Sequence, residues 1–158
     1  MESASQLVTR LGLRPHPEGG WFREVHRASA RVDTARGPRS ALTTIYYLLE
    51  RQQLSRWHVV AAEEVWHFYL GAPLELLVYD PANRSFKRHV LAAPATDREP
   101  IGVVPAGLWQ AARSLGEYSL VGCTVGPGFE FADFQFVATL PRHDEHFSGP
   151  LEPYAALL

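Results

Sequence analysis

The chain has 158 residues, 46% of them hydrophobic, which is enough for one core and argues against a second independent domain. Its 15 basic and 17 acidic side chains leave a net charge of -2, without the basic excess that a phosphate-rich partner requires, so a nucleic-acid ligand is not expected. No apolar run approaches the roughly 18 residues needed to cross a bilayer, and the start MESASQLVTR lacks the basic-then-apolar order of a secretion signal; the reading is a cytoplasmic protein with no membrane partner.

Leu7, Val8 and Leu11 share one helical face, with Ser3 or Ser5 as N-cap and Gly12 as stop, so the chain is predicted to open with a short amphipathic helix. From Pro15 onward the pattern changes to strands. They are expected over 21–27, 42–49, 56–61, 65–70, 74–79, 85–91, 101–104, 108–113, 118–125 and 129–138, punctuated by Pro, Gly, Asn and Asp. Short strands with no helix-length apolar pattern between them predict an all-β antiparallel barrel or sandwich and exclude a parallel α/β fold. Residues 92–100 read as a loop. Residues 1–158 read as one domain, with 141–158 as a C-terminal strap or tail lying on the barrel or on a partner. Cys123, the sole cysteine, excludes an intrachain disulfide and is expected to be a buried, inert thiol.

The segment SRWHVVAAEEVWHFYLG at 55–71 carries the candidate chemistry. If His58 points inward on its strand, the two-residue period also turns Val60 inward, and a short turn through 61–63 returns Glu64 to the interior. The same alternation places Trp66 and Phe68 on the inner wall and turns His67 and Tyr69 away. An inward carboxylate and imidazole are costly to bury unless they pair with each other or with a ligand. In VVPAGLWQAAR at 103–113, Gln110 points to the same interior and Trp109 outward. His16-Pro17-Glu18-Gly19-Gly20 reads as a turn in which glycine supplies unusual backbone angles, the alternative being that it brings Glu18 to the pocket mouth. The run from His143 to His146 reads as a solvated stretch.

These residues resemble the cupin superfamily. His58-Val59-Val60, three residues, Glu64 and six residues to Gly71 follow the spacing of its first motif, His-x-His, Glu, Gly. Pro105-Ala106-Gly107 followed by Gln110 matches its second motif up to the last position, where histidine is usual. Two of the four usual metal-ligand positions therefore hold Val60 and Gln110. HPEGGWFRE, TTIYYLL, EEVWHFYLGAPLELL, VVPAGLWQAAR and VGCTVGPGFEFADF together resemble the cupin-five group over roughly residues 5 to 138. The resemblance implies a jelly-roll-like barrel, usually homodimeric and often sharing N-terminal strands, with a pocket for a small-molecule ligand. The strength of the signature at 16–24 implies a pocket role for Glu24. A more distant similarity to dTDP-sugar 3,5-epimerases implies a metal-free barrel with an inward histidine as base.

The resulting expectation is an isomerase or epimerase acting on a sugar, sugar nucleotide or related metabolite. His58 is its general base, Glu64 the group that orients it, Gln110 a hydrogen-bond donor to the substrate oxygen, and Trp66 and Phe68 the walls. No cofactor is expected on this reading. One alternative is a non-catalytic binding or storage protein. The other is a metal-dependent oxygenase in which His58, Glu64 and Gln110 hold a divalent transition metal, a set short of the three good ligands such sites use. A homodimer is expected, the strand over 21–27 pairing with a second subunit.

Overall fold

A computed structural model describes residues 2–158. Helix α1 (Ala4–Leu11) is closed at its start by Ser3, whose hydroxyl accepts from the Gln6 amide while the Gln6 side chain accepts from the Ser3 amide, and it stops at Gly12 with φ 61°. The strands that follow are β1 (Arg14–Pro15), β2 (Trp21–Arg27), β3 (Arg31–Thr34), β4 (Gly37–Ser40), β5 (Thr43–Glu50), β6 (Leu54–Val60) and β7 (Glu63–Gly71). The second half adds β8 (Leu74–Asp80), β9 (Ser85–Leu91), β10 (Ile101–Val104), β11 (Trp109–Ser114), β12 (Tyr118–Gly126) and β13 (Phe134–Phe136).

Two antiparallel sheets face each other. One runs β1-β2-β5-β12-β7-β10 and the other β13-β6-β11-β8-β9. The chain changes sheet at almost every connection, including the turn between Val60 and Glu63 that carries it from β6 to β7. That crossing decides the site, because His58 and Glu64 then project inward from opposite sheets. Between the sheets lies a core of Tyr47, Leu49, Trp66, Leu74, Leu76, Val78, Leu91 and Val121, supplied by alternate residues of both. The all-β barrel expected from the strand pattern is the fold observed.

Both outer faces are partly covered. Leu7 of α1 packs on Leu48, Tyr118 and Leu120 behind the six-stranded sheet. The C-terminal residues form two 3-10 segments, His143–His146 and Gly149–Leu157, that lie behind the five-stranded sheet. There Leu151 and Leu157 are buried against Trp57, Leu77, Tyr79, Trp109 and Val137, and the Trp57 indole donates to the Tyr154 carbonyl. Strand β2 pairs with β5 along its length, but β1 covers its other edge only at Trp21 and Phe22.

Two expectations need correction. The strand over 129–138 is reduced to Phe134–Phe136, flanked by 3-10 turns at Phe131–Asp133 and Val137–Thr139. The interruption falls at Asp133, whose buried carboxylate takes Arg36 and Arg39 as ion-pair partners at 2.8 Å each. Those arginines belong to the hairpin β3-β4, which the strand pattern did not predict. Its segments RVDT and GPRS carry almost no apolar alternation, and charge pairing holds it in place. Leu151→Ala should cost roughly 2–5 kcal/mol of stability, because it opens a cavity under the tail. Urea denaturation measures this, and a midpoint equal to wild type would mean that the tail does not pack on the barrel.

Candidate functional site

A cavity of about 120 Å³ opens between the sheets at the β2 side of the barrel. Its position follows from the turn at 16–20. Gly19 has φ 113°, and a Cβ there would lie 2.0 Å from the Leu54 carbonyl oxygen, so only glycine allows this close approach to β6. The turn is further tied by the Tyr47 hydroxyl, which donates to the Gly19 carbonyl at 2.7 Å, and by the Arg56 amide, which donates to the Glu18 carbonyl. Glu18 is thereby folded inward, 6% exposed, beside His58 at 2%. The alternative reading of this segment, with Glu18 as a pocket residue, is the arrangement found, and the turn itself is what delivers it.

The partner of His58 is Glu18. His58 Nδ1 lies 2.7 Å from the Arg56 carbonyl, which can only accept, so Nδ1 carries a proton. Nε2 stands 3.2 Å from Glu18 Oε2, and in a buried site two lone pairs at that separation would repel. The contact is attractive with a proton between them. The Ser55 hydroxyl donates to the other Glu18 oxygen at 2.8 Å, and the imidazole stacks on Phe134 with ring centroids 5.1 Å apart. The expectation that Glu64 orients His58 is corrected: both nitrogens of His58 are engaged by the Arg56 carbonyl and Glu18, and no hydrogen bond joins His58 to Glu64.

Glu64 has its own support. The Gln110 amide nitrogen donates to Glu64 Oε2 at 2.7 Å, and the Gln110 oxygen accepts from the Trp66 indole at 3.0 Å. This chain reaches the carboxylate from the five-stranded sheet and holds it in place; Gln110 itself is buried and does not line the cavity, so it is not positioned as the substrate donor. Burial pushes the Glu64 pKa up to about 7. The charge of His58 opposes that rise and the charge of Glu18 adds to it. Cys123, beside the same carboxylate, is held well above the usual thiol range by burial and then by Glu64, as expected for an inert thiol. His16 lines the cavity as well, and burial lowers its pKa.

Of the residues singled out from the sequence, His58, Glu64 and Glu24 line the cavity. Glu24 sits at the mouth in a bidentate pair with Arg27, which also reaches Glu130 at 3.0 Å. Trp66 and Phe68 do point inward, as the alternation requires, but they pack into the core behind the cavity and are not its walls. The walls are instead Phe22, Ile45, Val60, Val125, Phe129 and Phe134. Sequence reasoning missed His16, and the signal for it was the same HPEGG segment that positions Glu18.

The four positions where cupins usually ligate a metal do not form a donor set here. Val60 has no donor atom, both nitrogens of His58 are engaged, and the Gln110 oxygen is taken by Trp66, which leaves Glu64 alone. The proposed ligand set of His58, Glu64 and Gln110 therefore does not fit a transition metal. The raised Glu64 pKa has a consequence for stability. Between pH 4.5 and about 7 the folded chain keeps a proton on Glu64 that the unfolded chain releases, so this group's contribution to stability falls as pH rises through that window. Glu64→Gln should abolish that slope, gaining on the order of 3 kcal/mol relative to wild type between pH 4.5 and 8. Urea titrations across the range measure it, and a wild-type-to-variant difference that does not change with pH would contradict the assignment.

No curated protein matches the sequence. Solved structures do: a hypothetical protein from Leishmania major is 34% identical with TM-score 0.78, over 85% of this chain and 86% of that one. A protein from Shewanella oneidensis is 30% identical with TM-score 0.82, over 92% and 93% of the two chains. Oxalate decarboxylase from Bacillus subtilis aligns at 17% identity with TM-score 0.58; this chain spans 36% of its length, and the likeness is one of fold. The sequence matches the family described as Cupin superfamily (DUF985) over residues 5–137, and the chain belongs to that family.

Proposed function

We propose that the cavity catalyses reversible proton transfer at a carbon beside a carbonyl, the chemistry of an isomerase or epimerase, using side chains and no metal. The observation that carries this reading is Glu64: a cavity-facing carboxylate with a pKa of about 7 can both take and return a proton near neutral pH. This moves the base from His58, the sequence-based choice, to the group on the opposite sheet. Glu64 in its ionised form removes the proton from carbon, and the electron pair passes to the carbonyl oxygen. The His58–Glu18 pair forms the opposite wall of the cavity, with its shared proton held between Nε2 and the carboxyl. Return of the proton by Glu64 to the neighbouring carbon is isomerisation; epimerisation by the same single base requires the intermediate to turn its other face to Glu64 before the proton returns.

The size of the enclosure supports a small reacting group. A cavity of roughly 150 Å³ is known to admit benzene, so one of about 120 Å³ accepts about six heavy atoms. That favours a hydroxy-carbonyl compound of roughly three or four carbons, or one end of a longer molecule whose remainder lies at the mouth, over a sugar nucleotide enclosed whole.

Deuterium uptake tests the reading. Glyceraldehyde, dihydroxyacetone, hydroxyacetone, pyruvate and the tetroses, each incubated with the protein in deuterated buffer, are followed by proton NMR. Uptake into at least one is expected, rising with pH to a plateau above about 7 as Glu64 ionises, and lowered at least 100-fold by Glu64→Gln. Uptake that survives Glu64→Gln would remove Glu64 from the mechanism. Saturable stabilisation by one of these compounds without any uptake would favour a binding protein over an enzyme.

A further inference from the structure

The proton-transfer reading leaves one need unmet. A carbonyl that is to accept an electron pair requires a hydrogen-bond donor aimed at its oxygen, and both N–H groups of His58 are engaged by the protein, with the Arg56 carbonyl and with Glu18. Building on that reading, we propose that His16, whose Nδ1 accepts the Glu18 backbone N–H, presents its Nε2–H to the cavity as the donor that polarises the ligand's carbonyl oxygen.

The geometry is specific. The Glu18 amide donates to His16 Nδ1 at 3.1 Å, and an amide N–H can only donate, so Nδ1 is the acceptor nitrogen and the ring proton is on Nε2. The side chain is 7% exposed, clamped edge-on between Phe22, with centroids 4.5 Å apart, and Tyr47, at 5.5 Å. Nε2 has no protein partner among the described residues, yet no sealed side-chain nitrogen or oxygen among them lacks one. Nε2 is therefore open to the cavity that His16 lines. Two charged groups face the ring. Glu18 Oε2 lies 4.0 Å from Nδ1 and favours the imidazolium, while burial and the charge of His58 favour the neutral ring; the latter prevail and the pKa falls. A neutral imidazole is the better donor for this task, because after donating to the growing oxyanion it needs no further change of charge to complete the cycle.

The same short turn thus supplies two functions. The Glu18 carboxyl holds the adjacent His58 imidazole at Nε2, and the Glu18 backbone N–H sets the tautomer of His16. In the reaction the proton leaves carbon for Glu64, the electron pair moves to oxygen, and the His16 N–H stabilises that oxygen without transferring its own proton.

The test uses the uniformly 15N-labelled full chain and hydroxyacetone, which has few enough heavy atoms to enter. Long-range nitrogen–proton spectra at neutral pH should show His16 as the Nε2–H tautomer, and saturating hydroxyacetone should move the Nε2-bound proton downfield. An Nδ1–H tautomer, an imidazolium, or an Nε2 resonance that hydroxyacetone leaves in place overturns the assignment. In the exchange assay, His16→Phe keeps an aromatic ring between Phe22 and Tyr47 and should lower kcat about 100-fold with little change in KM; His16→Gln, which retains a donor, should recover part of the loss. Exchange undiminished in His16→Phe also overturns the proposal. The two ideas fail separately: a hydroxyacetone-induced shift of His16 with no exchange in wild type sinks the proton-transfer reading and leaves His16 as the carbonyl donor.

Discussion

Everything at the site follows from enclosing several ionisable groups in one low-dielectric hollow. Glu18, Glu64, His16 and His58 all line it, and each side chain is nearly cut off from solvent, which penalises its charged form. The groups must share protons, and the fold decides how. His58 and Glu18 are adjacent and compensate each other across 3.2 Å. Glu64 is alone on the facing sheet with a neutral amide as its nearest donor, so it carries the cost of burial and its pKa rises to about 7. His16 is held neutral by burial and by its neighbour's charge. On the proposed reading, one set of side chains supplies a base in Glu64, a paired imidazole in His58 and a neutral donor in His16.

The scaffold that imposes this distribution is built from backbone. The crossing at 61–62 puts His58 and Glu64 on opposite walls of the cavity, with no hydrogen bond between them. Gly19 lets the turn at 16–20 press against Leu54, and in that position the Glu18 carboxylate reaches Ser55 and His58 on β6. Trp66 and Gln110 form a rigid relay behind Glu64, and the ion pairs from Arg36 and Arg39 to Asp133 secure the segment that carries Phe131 and Phe134 at the mouth. Replacing the usual metal ligands by Val60 and Gln110 is consistent with this design, since a hydrocarbon and an amide leave room for a carboxylate to titrate.

The parts legible in the sequence were those that alternation controls. The strand period predicted that His58, Glu64, Trp66, Phe68 and Gln110 face inward, and all five do. Period two reports the face and not the depth, so it could not separate Glu64, which borders the cavity, from Trp66 two residues later, which is sealed in the core. It also could not show that Gln110 would take Glu64 and that Glu18 would take His58, and that is why Glu64 was paired with His58. Glu18 and His16 were harder still: their role depends on a glycine meeting a carbonyl some 35 residues away, a contact that no local pattern encodes. The β3-β4 hairpin escaped for a related reason, because charge pairs to a distant aspartate hold it and apolar spacing does not.

The central claim is that Glu64 is the group poised to exchange protons in the cavity, and a carbon-13 titration of its side-chain carboxyl tests it most directly. With glutamate labelled at Cδ, and the Glu64 resonance assigned as the one missing from the Glu64→Gln spectrum, the midpoint should fall near pH 7. A midpoint near the ordinary 4.5 would show a solvated carboxylate, and the account of the cavity as an acid–base site would not stand.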